Sequence, residues 1–486
     1  MPIHFGTDGW RAVISDTFTF ANLRSVTQAI ADSTLADLKK TGAFDLNNGD
    51  RPSIVVGYDT RFMSDRFAQD VARVLAANNL KVFLAQSDSP TPAISYAVQD
   101  FGAKAGIMIT ASHNPPRYNG IKLKSAQGSS ASPEQSKRVE VYLVDNESQS
   151  RGPNLMDYEL AKGKGLIERF NPIPRYYEHL RDLIDFEAIA DYPLQVVVDA
   201  MYGSGRGVIA GILQGTGTEV HEIRHKLNPG FGGVHPEPIA KYLGALSAAI
   251  SSGEGFFGLA TDGDADRVGA MDERGEFVDP HKIMALALKH LVEKRGLTGK
   301  VVRTVSTTRM LDRMAAKYGL EIAETPVGFN HIADHMMKDD VLIGGEESGG
   351  ISFKGHIPEG DGILMSLLLI EMVASAKSSL REMVDEILDE FGPAHYCRND
   401  LRLRRPVEKK AMTKQLAENA PASIGGESVL EVATTDGAKY ILADDSWLLI
   451  RPSGTEPVLR VYAEGRSPEM MKALMEFGEQ VAEGVS

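Results

Sequence analysis

The sequence is poor in cysteine and in cationic excess, and it lacks any long apolar run. Cys397 is the single cysteine, so there is no intrachain disulfide and no cysteine-rich metal site, and it reads as a small core residue. No stretch approaches the ~20 consecutive apolar residues that a membrane-spanning helix needs. The N-terminus shows no charged flank followed by an apolar core, so no secretion signal is expected and a cytoplasmic location follows by default. Acidic residues outnumber basic ones by 66 to 52, a net charge of −14. That balance argues against non-specific nucleic-acid binding and against anionic membranes. The remaining composition, 43% hydrophobic and 24% charged over 486 residues, is that of a globular chain of about three or four domains. A monomer and a homodimer both stay open.

Along the first three quarters, strand-like and helix-like segments alternate. Ser53 to Tyr58, Lys81 to Leu84, Leu194 to Val198 and Val301 to Val305 read as strands, and Asp65 to Asn79 reads as a helix. Val268 to Val278 has the pattern of a hairpin around Glu273-Arg274-Gly275. Alternation of this kind predicts α/β layers, with three related units and no evident repeat of sequence identity. The last quarter reads as a strand, a helix over Val407 to Glu418, several short strands and a helix over Pro468 to Glu483, a smaller α+β unit. Expected domains are 1–155, 156–275, 276–392 and 393–486. The glycines of Gly203-Ser204-Gly205-Arg206-Gly207 lack the G-x-G-x-x-G spacing of a dinucleotide site and predict a strand-to-helix turn.

Four loops carry the chemistry. In the first, the apolar run Ala105 to Ile109 breaks into Thr110-Ala111-Ser112-His113-Asn114 and stops at Pro115-Pro116. One hydroxyl, Ser112, is thereby set on a tight turn at a strand's end, where open α/β sheets bind ligands. A second apolar strand, Phe256 to Ala260, runs into Thr261-Asp262-Gly263-Asp264-Ala265-Asp266-Arg267. In an extended loop alternate side chains point the same way, so Asp262, Asp264 and Asp266 converge on one hard cation, best Mg²⁺ beside a phosphate. An EF-hand would need glycine at its sixth position, which is Arg267 here. The third loop follows Trp447 to Ile450: Arg451-Pro452-Ser453-Gly454-Thr455-Glu456-Pro457 offers a guanidinium, two hydroxyls and the N–H groups around Gly454, the donors that wrap a phosphate. The fourth, Gly344-Gly345-Glu346-Glu347-Ser348-Gly349-Gly350, is glycine-rich and carries groups that hydrogen-bond sugar hydroxyls; a plain surface turn would read the same.

Taken in chain order and at domain-sized spacings, these loops resemble the α-D-phosphohexomutase superfamily (phosphoglucomutase/phosphomannomutase). The resemblance starts at Phe5-Gly6-Thr7-Asp8-Gly9-Trp10-Arg11, includes Asn119-Gly120-Ile121-Lys122, and covers essentially the whole chain. It implies three similar α/β mixed-sheet domains around a central cleft and a mobile fourth domain that carries the phosphate clamp. It also implies roles. Ser112 is the phosphoserine, whose oxygen completes a single Mg²⁺ site with Asp262, Asp264 and Asp266. Lys122 is the acid/base candidate, Arg267 lies near the reacting phosphate, and Arg11 and His113 line the site. Glu346 and Ser348 read the sugar, while Arg451, Ser453, Gly454 and Thr455 bind the distal phosphate. The implied activity interconverts hexose 1- and 6-phosphates through a hexose 1,6-bisphosphate, with glucose 1,6-bisphosphate as activator.

The sugar loop GEESGG is closer to glucose-preferring than to mannose-competent members, and His356-Ile357-Pro358 with Asp361-Gly362 also resembles glucose-type enzymes. Mannose and glucosamine phosphates are the alternatives, and a Mg²⁺-dependent phosphohydrolase is a second class. One departure concerns Pro326-Val327-Gly328-Phe329-Asn330-His331, where Asn330 stands where many glucose-type relatives carry lysine.

Overall fold

The computed structural model describes residues 3–6, 9–42, 51–405, 407–453 and 458–485. They form two compact units. One contains the chain up to Ile283 with Met336–Lys338 and Ser348–Leu380; the other contains Met284–His335, Asp339–Glu347 and the chain from Arg381 onward.

The first unit holds two mixed sheets. The first comprises β1 (Trp10–Val13), β2 (Ser53–Tyr58), β3 (Lys81–Ala85), β4 (Ala105–Ile109), β5 (Tyr118–Lys124) and β6 (Ile167–Phe170), in the order β1-β5-β4-β2-β3-β6. Strands β4, β2, β3 and β6 run parallel, while β5 and β1 are antiparallel additions. All five residues of β4 are buried, as expected of a strand covered on both faces by helices. Strand β6 lies beyond the expected edge at residue 155 and pairs with β3.

The second sheet comprises β7 (Gln195–Asp199), β8 (Glu219–Ile223), β9 (Phe257–Thr261), β10 (Val268–Met271) and β11 (Phe277–Val278), ordered β11-β10-β9-β7-β8. The expected hairpin is present as β10 paired antiparallel with β11. Against β9 and β10 packs the helix Gly362–Ala376. Every residue from Gly362 to Ala374 is buried, and a helix apolar on all sides belongs inside a core. Its N-cap, Asp361, accepts from the N–H groups of Ile363 and Leu364, both at 2.9 Å, and so satisfies two of the donors that a helix start leaves open.

In the second unit, β12 (Lys300–Thr304), β13 (Ile322–Thr325) and β14 (Val341–Gly345) pair in parallel around β12. The short strand β15 (Ile351–Phe353) belongs to the first unit. The C-terminal sheet is antiparallel throughout: β16 (His395–Arg402), β17 (Ser423–Ile424), β18 (Glu427–Ala433), β19 (Ala438–Leu442), β20 (Trp447–Pro452) and β21 (Val458–Gly465), in the order β16-β21-β20-β19-β18-β17. Helices Lys409–Glu418 and Pro468–Val485 cover it. Three α/β sheets and a separate antiparallel C-terminal sheet with two helices match the α/β and α+β architecture expected from the sequence.

Within the second unit the two sheets are tied by buried charge. Glu324 on β13 receives both Arg303 on β12 and Lys439 on β19. Burial works against ionisation of Glu324, but attraction from Lys439 and Arg303 outweighs it and holds the carboxyl down at about 2. Val305, Trp447, Leu449 and Tyr462 form an apolar cluster beside them. Cys397 on β16 is half-buried, packed against the margin of the apolar core of the C-terminal sheet rather than inside it. Among the described residues no single helix is long and apolar enough to cross a membrane.

Candidate active site

The loop after β4 and the loop after β9 meet in the first unit. Ser112 is fully buried and has φ of 49°, a left-handed conformation that costs a non-glycine residue ~1–3 kcal/mol. Its Oγ donates to Asp262 Oδ2 at 2.9 Å and lies 3.3 Å from His113 Nδ1. The backbones of the two loops are in close approach. A Cβ on Gly263 would lie 2.6 Å from the Ser112 carbonyl oxygen, so only glycine fits between the first two aspartates.

Asp262, Asp264 and Asp266 are buried, and one carboxylate oxygen of each lies within 4.8 Å of the others. Lys122 on β5 bridges two of them, with Nζ 3.0 Å from Asp264 Oδ2 and 2.7 Å from Asp266 Oδ2. Asp262 Oδ1 accepts from the N–H groups of Asp266 and Arg267 at 3.0 and 3.2 Å. Burial, and then the Asp266 and Asp264 charges, push the Asp262 carboxyl well above the usual range. Burial also opposes ionisation of Asp264, but the Lys122 ammonium and the Thr91 hydroxyl outweigh it and hold that carboxyl low. Asp264 Oδ1 and Asp266 Oδ1 are buried without a hydrogen-bond partner among the described residues. Buried acceptor oxygens are costly to leave unmatched, so the triad has the donor set and the available oxygen atoms that a hard divalent cation requires. The acidic triad fits a metal ion.

The other residues expected in this region are grouped as follows. Arg11 on β1 donates from Nη1 to Asn114 Oδ1 at 2.9 Å, which holds it against the Ser112 loop. Arg267 leads out of the metal loop, with its guanidinium 3.9 Å from both Glu237 and Asp266. Ser348 precedes Gly349, whose carbonyl accepts from Val268 N–H at the start of β10.

Glu346, Arg451 and Ser453 belong to the second unit. Glu346, at the end of β14, accepts from Gly328 N–H at 2.8 Å. Its neighbour Glu347 pairs at 2.9 Å with Arg398 on β16, which also grips Asp400 with two bonds of 2.9 Å. Arg451 on β20 donates to Asp436 Oδ2 at 2.8 Å, and Asp436 also accepts from Val327 N–H at 3.1 Å. Ser453 is buried, with its N–H bonded to Val458 O at 2.9 Å. Gly454 and Thr455, like Thr7 and Asp8 of the opening segment, lie outside the described residues. Asn330 is buried at the start of helix Phe329–Lys338, and its Oδ1 has no hydrogen-bond partner among the described residues.

Sequence reasoning missed the supports of the metal loop. Thr91 donates from Oγ1 to Asp264 Oδ2 at 2.7 Å and from its N–H to Asp264 O at 2.8 Å. The signal was present: Pro90-Thr91-Pro92 is a polar break shortly after a strand, of the kind that marked the other loops. The Gly203 to Gly207 segment is a turn before the helix Val208–Ile212, as expected, and it also backs the metal loop. Ser204 N–H donates to Gly263 O at 3.0 Å, and a Cβ on Gly203 would stand 2.7 Å from Asp262 O.

Comparison with known proteins covers the chain in four parts. Residues 2–150 match the phosphoglucomutase/phosphomannomutase alpha/beta/alpha domain I, residues 174–275 domain II, residues 279–391 domain III, and residues 403–479 the C-terminal domain. The phosphoglucomutase/phosphomannomutase of Thermococcus kodakarensis is 31% identical over 99% of this chain and 98% of its own length. The phosphoglucosamine mutase of Carboxydothermus hydrogenoformans is 32% identical over 97% of each. A solved structure from Thermus thermophilus, provisionally named a phosphomannomutase, superposes over 100% of both chains with a TM-score of 0.84 and 34% identity.

Proposed function

The chain belongs to the phosphoglucomutase/phosphomannomutase family, a group of phosphohexomutase-type phosphotransferases, and from that premise we propose a glucose-preferring mutase that works through a phosphoserine at position 112. The observation that supports this most is the buried meeting of Ser112 Oγ with the Asp262 carboxylate, in a triad whose oxygens suit a cation. The preference for glucose rests on the loop Gly345-Glu346-Glu347-Ser348-Gly349-Gly350.

In this reading Ser112 carries a phosphate before turnover, adding about −1.5 to −2 charges at neutral pH. Mg²⁺ held by the three aspartates and a phosphoserine oxygen would offset that charge and the charge spread over the transferring phosphoryl group. The 6-hydroxyl of glucose 1-phosphate attacks the phosphorus as the bond to Ser112 Oγ breaks. Lys122 or a neighbouring group takes the hydroxyl proton and a proton is delivered to Ser112 Oγ as it leaves, a contribution typically worth ~10²–10⁴ in rate. Glucose 1,6-bisphosphate results. It turns over in the site, and Ser112 Oγ attacks the phosphorus on O1 as the bond from that phosphorus to O1 breaks; the serine proton passes to O1, leaving glucose 6-phosphate and the phosphoserine. Arg451 and Ser453 bind whichever phosphate is not reacting, and Glu346 and Ser348 hold the sugar hydroxyls.

The expected test of the sugar loop is Glu346→Gln. It should raise KM for glucose 1-phosphate by roughly tenfold, the ~1.4 kcal/mol of one lost charged hydrogen bond, while leaving the Mg²⁺ requirement unchanged. Michaelis constants unchanged for glucose, mannose and glucosamine phosphates alike would remove Glu346 from the sugar site. The relative rates on those three substrates decide the preference. Faster turnover of glucosamine phosphate would replace glucose in this reading and leave the phosphoserine chemistry in place.

A further inference from the structure

A buried arginine that no part of the reaction scheme uses lies under the Ser112 turn. Arg61 follows β2, its side chain fully buried. Its guanidinium is directed at the backbone of the serine loop. Nη1 donates to Pro115 O at 2.9 Å and to Tyr118 O at 3.0 Å. Nη2 donates to Ser112 O at 2.5 Å and to Asn114 O at 2.6 Å. Nε faces Asp59 Oδ2 at 3.1 Å, and the Phe231 ring stands 4.9 Å from the guanidinium carbon. From the other side, Asp59 Oδ2 accepts from Thr110 Oγ1 at 2.7 Å, and Thr110 Oγ1 accepts from the Ser112 N–H at 2.8 Å. Both the N–H and the carbonyl of Ser112 are therefore held by one network.

Backbone sterics give this network a role. Ser112 sits at positive φ, which the local sequence does not favour, and its carbonyl passes within contact of Gly263 in the metal loop. A loop of Ser, His and Asn before two prolines would relax toward commoner backbone angles if nothing restrained it. Four carbonyl oxygens converging on one planar guanidinium fix its shape, and the fork of Arg donors is rigid where an ammonium is not. We propose that Arg61, locked by Asp59 and Thr110, is the positioning residue that holds the Ser112 backbone in its left-handed conformation, so that Oγ and any phosphate on it meet the Asp262 loop in line for transfer.

The inference rests on the reading of Ser112 as the phosphoryl carrier, and the test separates the two. Arg61→Lys keeps the charge and the aliphatic stem but cannot reach four carbonyls from one nitrogen. With a misplacement of ~1 Å at the nucleophile, kcat on glucose 1-phosphate should fall about 100-fold while KM stays within about threefold, because the sugar and distal phosphate contacts are untouched. Faster backbone hydrogen exchange confined to residues 110–118 should accompany it. Circular dichroism establishes that the variant is folded. If it is not, Thr110→Val decides: it is isosteric, cuts the link between Asp59 and the Ser112 N–H, and should lower kcat about tenfold at unchanged KM. A folded variant with wild-type kcat and unchanged exchange at 110–118 overturns the proposal. Wild-type protein that fails to interconvert any hexose phosphate, before any substitution, overturns the phosphoserine reading instead.

Discussion

Ser112→Ala is expected to reduce interconversion of hexose phosphates by roughly 10⁴-fold or more, because on the proposed mechanism it removes the oxygen that carries the phosphoryl group. Among the described residues two hydroxyls reach the aspartate triad, Ser112 Oγ at 2.9 Å from Asp262 and Thr91 Oγ1 at 2.7 Å from Asp264. Thr91 is also tied to the Asp264 carbonyl through its own N–H, which fixes it as a support of the metal loop rather than a second carrier. Water in the place of Ser112 Oγ could not return a phosphoryl group to the sugar, so residual chemistry in the variant should appear as slow hydrolysis of the bisphosphate rather than as isomerisation. The fold should survive. Removing Oγ deletes one hydrogen bond to a carboxylate whose ionisation burial and its two neighbours already oppose, and the backbone bonds that hold the turn do not involve the side chain. The measurement is the rate of glucose 6-phosphate formation with the melting temperature as control. A folded variant with normal rate would rule out the phosphoserine.

Removal of divalent cation is expected to have the second largest effect. With chelator in excess, turnover should drop by at least about 10²–10³-fold, the scale of losing one electrostatic stabiliser of a transition state, and Mg²⁺ should restore it. Charge is the reason. Lys122 reaches Asp264 and Asp266 at hydrogen-bond distance and the Arg267 guanidinium stands 3.9 Å from Asp266, two cations against three buried carboxylates, while Asp264 Oδ1 and Asp266 Oδ1 have no hydrogen-bond partner among the described residues. A phosphoserine adjoining Asp262 would add negative charge where it is already in excess. Asp264→Asn should mimic the chelated state and resist rescue by Mg²⁺. Full activity in chelator would contradict the metal role of the triad.

The strand ends were legible in the sequence because each joins two strong local signals. An apolar run of about five residues marks a covered strand, and a cluster of Asp, Ser, Gly or Pro marks its end. Both signals hold at Ala105 to Pro115 and at Phe257 to Arg267, and the chemistry of each loop follows from which polar groups it contains. Strand β6 gave no such signal. It is four residues long and mixes buried and exposed positions, and its place beside β3 is a tertiary fact. Arg61 was hidden for a related reason. Asp59-Thr60-Arg61 reads as the polar end of the strand Ser53 to Tyr58, but the partners of Arg61 are backbone carbonyls, which carry no residue identity, so the letters do not name the Ser112 loop as its target. Glu347 reads as part of a sugar loop, yet its carboxylate is taken up by Arg398, on a different sheet. Local pattern finds loops that hold chemistry; it does not find the distant side chains that hold the loops.

The reach of the sugar loop illustrates the same division. Glu346 and Glu347 are adjacent, but one accepts from Gly328 N–H and the other from Arg398. Glu347 is committed to an ion pair with Arg398, whereas Glu346 accepts from a backbone N–H. That is the physical reason for choosing Glu346 over Glu347 as the group to change.

Mutase chemistry depends on phosphoryl transfer between sugar oxygens without loss to water. The most direct measurement is a phosphorus NMR time course on Mg²⁺-loaded protein given glucose 1-phosphate and a trace of glucose 1,6-bisphosphate. The expected result is glucose 6-phosphate growing in as glucose 1-phosphate disappears, with no inorganic phosphate. Inorganic phosphate as the sole new signal would make the protein a hydrolase, and an unchanged spectrum with each of the glucose, mannose and glucosamine 1-phosphates would contradict the mutase altogether.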